Sequence, residues 1–130
     1  MKRIQRRRVK GWRMPPSAKY IGRPSKWGNP LMLVGDTIYI NASYRRKVLS
    51  PWVTLTERAD KDDLMHYFWV IATPHKKCQK FANPDLQYWS DHFASLDWNE
   101  LKGKDLACWC REDTGCHGDI LIEIFKEHFT

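Results

Sequence analysis

Residues 105–125 read D-L-A-C-W-C-R-E-D-T-G-C-H-G-D-I-L-I-E-I-F, and no other segment constrains the fold as much. A short apolar run ends in Cys108 and Cys110, a polar loop follows, and an amphipathic pattern starts at Cys116 and His117. Residues two apart on a strand share a face, so Cys108 and Cys110 point one way and Trp109 the other. Cys116 and His117 fall where a helix begins, and unpaired N–H groups there favour an anion or a thiolate. The segment predicts a strand–loop–helix corner of the kind that holds ligands in α/β folds.

The rest of the pattern supports a single compact α/β domain over residues 1–130, a small sheet with flanking helices that ends in this corner. Residues 3–9 suit a first strand, Lys19–Arg23 a second and Thr37–Ile40 a third. A helix is expected from a cap at Thr56 to about Ala72, with Leu64, Phe68 and Ile71 or Ala72 inward and Pro74 as its stop. Asn83-Pro84-Asp85 marks another start, with Leu86, Trp89, Phe93 and Leu96 as the apolar stripe. Lys102-Gly103-Lys104 turns into the strand 105–110, and the last helix spans about Cys116 to His128. Its expected buried face is Ile120, Leu121, Ile124 and His128.

Charge is concentrated. Residues 1–35 hold ten Lys or Arg and no acid, although the whole chain has a net charge of only +7. Such a field suits phosphate, on a nucleotide or on nucleic acid, better than a merely solvated face. No apolar run is long enough to span a bilayer, so no membrane partner is expected. The basic start lacks an apolar signal core, which favours the cytoplasm and reduced thiols over disulfides.

Two motifs together, G-R-P-S-K-W-G-N-P at 22–30 and G-K-D-L-A-C-W-C with C-H-G-D-I-L-I-E, are distinctive. They resemble a phage and bacterial family known as domain-of-unknown-function family 4326. The resemblance implies an Arg-containing opening strand, the GRPSKWGNP loop, a helix and then the Cys corner. It also implies frequent phage origin, hence a host cytoplasm, and no established activity. Residues 31–83 make a longer middle segment than the family's usual connection.

In the Gly22–Pro30 loop, Arg23 and Lys26 suit phosphate, Trp27 suits stacking on a base, and Asn29 suits reading its edge or fixing the loop. The alternative is a rigid structural loop with Trp27 in the core. Arg6 and Arg8 would share one strand face and line an anion pocket, unless the arginine run is a solvated edge.

The corner has three readings. Zinc could be held by Cys108, Cys110, Cys116 and His117, but C-x-C-x5-C-H is not the usual pair of knuckles, and adjacent Cys116 and His117 are awkward ligands for one ion. Neither a metal nor another cofactor is therefore expected. Catalysis would use Cys116 as nucleophile and His117 or Asp119 as acid or base. The structural reading makes Cys108 and Cys110 small buried hydrophobes and the rest a helix cap.

These readings converge on a phosphorylated small molecule or nucleotide bound between the Gly22–Pro30 loop and the Cys110–Asp119 corner. Arg6, Arg8, Arg23, Lys26, Trp27, Asn29 and Cys110 would bind it. Any turnover would be transfer or hydrolysis at a nucleotide or glycosidic centre, through Cys116, His117 and Asp119. The alternatives are a non-catalytic phage protein that sequesters a host nucleotide signal, and a nucleic-acid-binding module built on the basic N-terminal segment.

Overall fold

The structure, a computed structural model, describes residues 1–45, 50–73, 80–110 and 115–129. Pro74, His75 and Cys78 lie outside them. The fold is α/β, with two three-stranded sheets and three α-helices. The chain divides into two compact units, residues 1–28 with 96–130, and residues 29–95. Among the described residues no helix is long and apolar enough to cross a membrane.

The first unit is built on a parallel sheet. Its central strand β6 (Asp105–Cys108) lies between β1 (Arg3–Gln5) and β2 (Ala18–Tyr20). Leu106, Ala107 and Cys108 are all buried, as expected of a central parallel strand covered on both faces. Gln5 pairs with Cys108 and Tyr20 with Ala107, so all three strands end at the same edge. The first strand is shorter than the expected 3–9, because the ladder closes with a bond from Arg6 N to Cys108 O at 2.7 Å. Gly103, at φ 73°, supplies the turn into β6.

The helix α3 (His117–His128) contacts β1 and β6. Its buried face is His117, Gly118, Leu121, Ile124 and Phe125. His128 is exposed and Ile120 only half-buried, because the stripe runs through Phe125 instead. Ile21, Trp27, Trp98 and Leu101 are also buried in this unit.

The second unit is an antiparallel sheet with two helices. Strands β3 (Leu31–Val34) and β4 (Thr37–Asn41) form a hairpin whose turn is opened by Gly35 at φ 63°. Strand β5 (Trp52–Thr56) pairs with the far side of β4. Thr56 therefore ends a strand and does not cap a helix. The helix α1 (Lys61–Ala72) is capped by Asp60, whose side chain accepts from Asp63 N at 2.9 Å while Asp63 returns a bond to Asp60 N. The helix α2 (Pro84–Ser95) starts where Asn83-Pro84 places it, with Asn83 Oδ1 accepting from Asp85 N at 2.8 Å. Phe68 of α1 meets Phe93 of α2 edge to face at 5.5 Å.

Candidate functional site

The parallel sheet's carboxyl edge lies entirely in the first unit, and the β6–α3 corner sits on it. Cys108 ends β6 and packs toward Arg3 and Cys116, whereas Trp109, just past the strand, packs toward Arg6 and Arg8. Cys108 Sγ lies 3.3 Å from Cys116 Sγ, and Cys108, Cys110 and Cys116 have all their sulfurs within 4.8 Å of one another. Cys108 and Cys116 are buried and Cys110 is exposed, and all three are free thiols.

Cys116 takes the N-cap of α3, where Ser or Thr is more usual. Its sulfur accepts from Gly118 N at 3.5 Å, and Asp119 Oδ2 accepts from Cys116 N at 3.1 Å. His117 Nε2 stands 2.9 Å from the carbonyl oxygen of Ile21, and Nδ1 stands 3.4 Å from Cys116 Sγ. A carbonyl only accepts, so Nε2 carries the proton and Nδ1 offers its lone pair. Burial pushes the His117 pKa down and keeps the ring neutral.

Arg3 gathers the corner together. Its Nε donates to Asp119 Oδ1 at 3.0 Å, and its Nη1 reaches Cys110 O at 3.2 Å and Cys108 Sγ at 3.7 Å. The Arg3 side chain is only 5 % exposed. Arg3 was not among the residues singled out from sequence. The available signal was a cation inside a strand that pairs with a buried neighbour.

The thiols behave as one group. Hydrogen bonds from Cys110 and Cys116, and then from Arg3, pull the Cys108 thiol far below its ordinary value. The same neighbour, Cys108, holds Cys116 and Cys110 up. The helix position predicts a lowered pKa at Cys116, whereas the downward shift lies at Cys108. Cys116 is the buried N-cap of α3. His117 is buried and bonded through Nε2, and both oxygens of Asp119 accept hydrogen bonds while its side chain stays 46 % exposed.

On the other face, the Arg6 guanidinium lies 4.8 Å from the Trp109 ring centroid and that of Arg8 4.7 Å. Arg6 also lies 4.8 Å from the Tyr20 ring. These are cation–π distances, and they bring together the two arginines expected to act as a pair. Arg6 Nε is buried without a hydrogen-bond partner. Trp109 is 40 % exposed.

The Gly22–Pro30 loop contributes less than its motif suggested. Gly22–Gly28 belongs to the first unit, and Asn29 and Pro30 to the second. Trp27 is fully buried, edge-on to Trp98 at 5.1 Å, so it is a core residue and presents no face for stacking. Lys26 Nζ pairs with Glu100 at 2.7 Å, with Lys19 at 3.5 Å on the same carboxylate. Its charge is thus offset within the unit and not held for phosphate. Asn29 Oδ1 accepts from Leu31 N at 2.9 Å, the loop-fixing alternative. Arg23 is exposed, its carbonyl accepts from Tyr20 Oη at 2.7 Å, and its charge helps depress the His117 pKa. The peptide between Arg23 and Pro24 is cis.

Fold and corner together define a small α/β protein with a thiol-rich parallel-sheet edge. The chain belongs to the family described as a domain of unknown function (DUF4326), whose model matches residues 4–127. No curated protein and no solved structure matches it.

Proposed function

We propose that the protein binds a phosphate-bearing nucleotide or nucleotide-derived ligand at the carboxyl edge of the β1-β6-β2 sheet. The observation that carries this reading is the cluster of Arg6 and Arg8 on exposed Trp109. Guanidinium groups neutralise phosphate and an indole face stacks on a base, so the cluster joins the two chemistries that a nucleotide needs. The unpartnered Arg6 Nε adds a donor that the described chain leaves unmet. The ends of parallel strands are the usual ligand position in open α/β sheets. Exposed Arg23 follows the neighbouring strand β2 and extends the positive edge.

Binding without turnover fits best. Cys116 and His117 are buried, and Asp119 is engaged by Arg3 and by the Cys116 main chain. None offers a reactive atom to a ligand on the Trp109 face.

The test is calorimetric titration with nucleoside mono-, di- and triphosphates and with a single-stranded oligonucleotide, at two salt concentrations. A selective nucleotide should bind and be recovered unchanged after denaturation. Trp109→Ala should weaken it by about 1–3 kcal/mol, and Arg6→Ala and Arg23→Ala should weaken it also. Binding that ignores all three substitutions would refute the site. Affinity only for the oligonucleotide, falling steeply with salt, would move the function to nucleic acid.

A further inference from the structure

We propose that Cys108, Cys110, Cys116 and His117 form a zinc site at the β6–α3 corner, on the opposite face from Trp109. Three sulfurs from two separate elements lie within 4.8 Å of one another, two of them 3.3 Å apart. Tetrahedral zinc with bonds of about 2.3 Å to sulfur sets its sulfur ligands about 3.8 Å apart. The closest pair would open by about 0.5 Å and the widest, at no more than 4.8 Å, would close by at most about 1 Å.

His117 is arranged as a metal-binding imidazole is. Its Nε2–H is spent on the Ile21 carbonyl, which fixes the tautomer and turns Nδ1 toward Cys116 Sγ at 3.4 Å. A zinc-bound nitrogen and sulfur stand about 3.6 Å apart. The adjacency of Cys116 and His117 is thus no obstacle. Cys116 is the N-cap and His117 the first helical residue, and a side-chain shift at this backbone break would bring the Nδ1 lone pair, 3.4 Å from Cys116 Sγ, to the thiol trio.

The surroundings suit the charge. Three thiolates and Zn²⁺ leave a net charge of −1, and Arg3 Nη1 lies 3.7 Å from Cys108 Sγ to offset it. Gly118 N–H, 3.5 Å from Cys116 Sγ, donates to a second ligand sulfur. A soft sulfur set with one imidazole selects zinc over magnesium or calcium. Cys110 fits this reading better than a packing role, because it is exposed. As the ion enters, whichever of the thiols still carry protons lose them to solvent.

The experiment uses the full chain, purified without a polyhistidine tag or chelator and kept reduced, with metal analysis and cobalt substitution. The expected result is one zinc per chain and, with cobalt, the intense visible and sulfur charge-transfer bands of a tetrahedral thiolate site. Cys110→Ser changes an exposed residue and should keep the fold by circular dichroism. It should bind zinc at least about tenfold more weakly in competition with a chromophoric chelator. His117→Ala should change the cobalt spectrum. A reduced, folded chain that takes up no zinc when supplied in excess would overturn the proposal, as would zinc affinity indifferent to Cys110→Ser. A cobalt spectrum unaltered in His117→Ala would overturn the fourth ligand. Nucleotide titrations with Trp109→Ala read the other face, so the two assignments fail separately.

Discussion

His117 Nε2 donates to the main-chain oxygen of Ile21 at 2.9 Å, tying the first turn of α3 to the end of β2. The central strand β6 supplies Cys108, and Trp109 follows directly after it. One hydrogen bond thus closes a circuit of three elements around the thiol cluster, while the aromatic face stays outside it.

The tightness of that closure is testable at Gly118. A Cβ there would stand 2.8 Å from Ile21 Cδ1 and 3.0 Å from Arg3 Cδ, and Ile21 is fully buried. Overpacking costs about 1–3 kcal/mol, against a helix-propensity gain of up to about 1 kcal/mol. Gly118→Ala should therefore lower stability by about 1 kcal/mol, read as a lower midpoint in urea at unchanged slope.

Trp27 separates core from ligand contact. Trp27→Ala should cost about 3–5 kcal/mol. Trp27→Phe should cost much less, because the buried Nε1 has no hydrogen-bond partner to lose. Nucleotide affinity of the Phe variant should match the parent's. A selective loss of affinity at full stability would return Trp27 to the binding surface.

Glu100 sets a pH dependence. Its hydrogen bond from Lys26, with Lys19 also near, holds its carboxyl below the ordinary value of 4.5. A depressed folded value means that the unfolded chain takes up the proton first, so stability falls as acid is added. The contribution is complete above the unfolded value and fades as pH drops from about 4.5 through the folded value. The stability difference between the parent and Glu100→Gln should be steady near neutrality and shrink below pH of about 4.5, measured by urea denaturation across pH.

In the second unit, Asp85 is buried at the start of α2 and accepts from Tyr44 Oη and from two nitrogens of Arg45. Asp85→Asn keeps the shape but removes the charge and one acceptor. Hydrogen bonds to charged groups contribute about 1.5–3 kcal/mol, and a loss of that size is expected in thermal or urea unfolding.

Local chemistry was readable from the chain at the helix starts and at the corner. Asn83-Pro84 announced α2, and Cys108-Trp109-Cys110 announced two opposed faces, because a cap and a strand's alternation are properties of neighbouring residues. The strand β5 was missed and Thr56 misread as a cap, since T-L-T is strand or cap depending on whether a partner such as β4 lies beside it. The loop 22–30 misled for a related reason. Its cation, aromatic and amide suit a ligand, but Glu100, Trp98 and Leu31 take them up.

What the sequence determined by itself is the set of pieces: the basic first quarter, the caps, the β6–α3 corner and the family to which they belong. Each rests on residues close together along the chain. Only the tertiary structure decided which charges remain available. Arg3 and Arg6 lie about a hundred positions from Cys108 and Trp109, and only the parallel pairing of β1 with β6 joins them. Burial turned Trp27 into core, and neighbouring side chains pull the Cys108 thiol down and hold the Cys116 thiol up. Desolvation and distant neighbours act through space, and a linear pattern does not contain them.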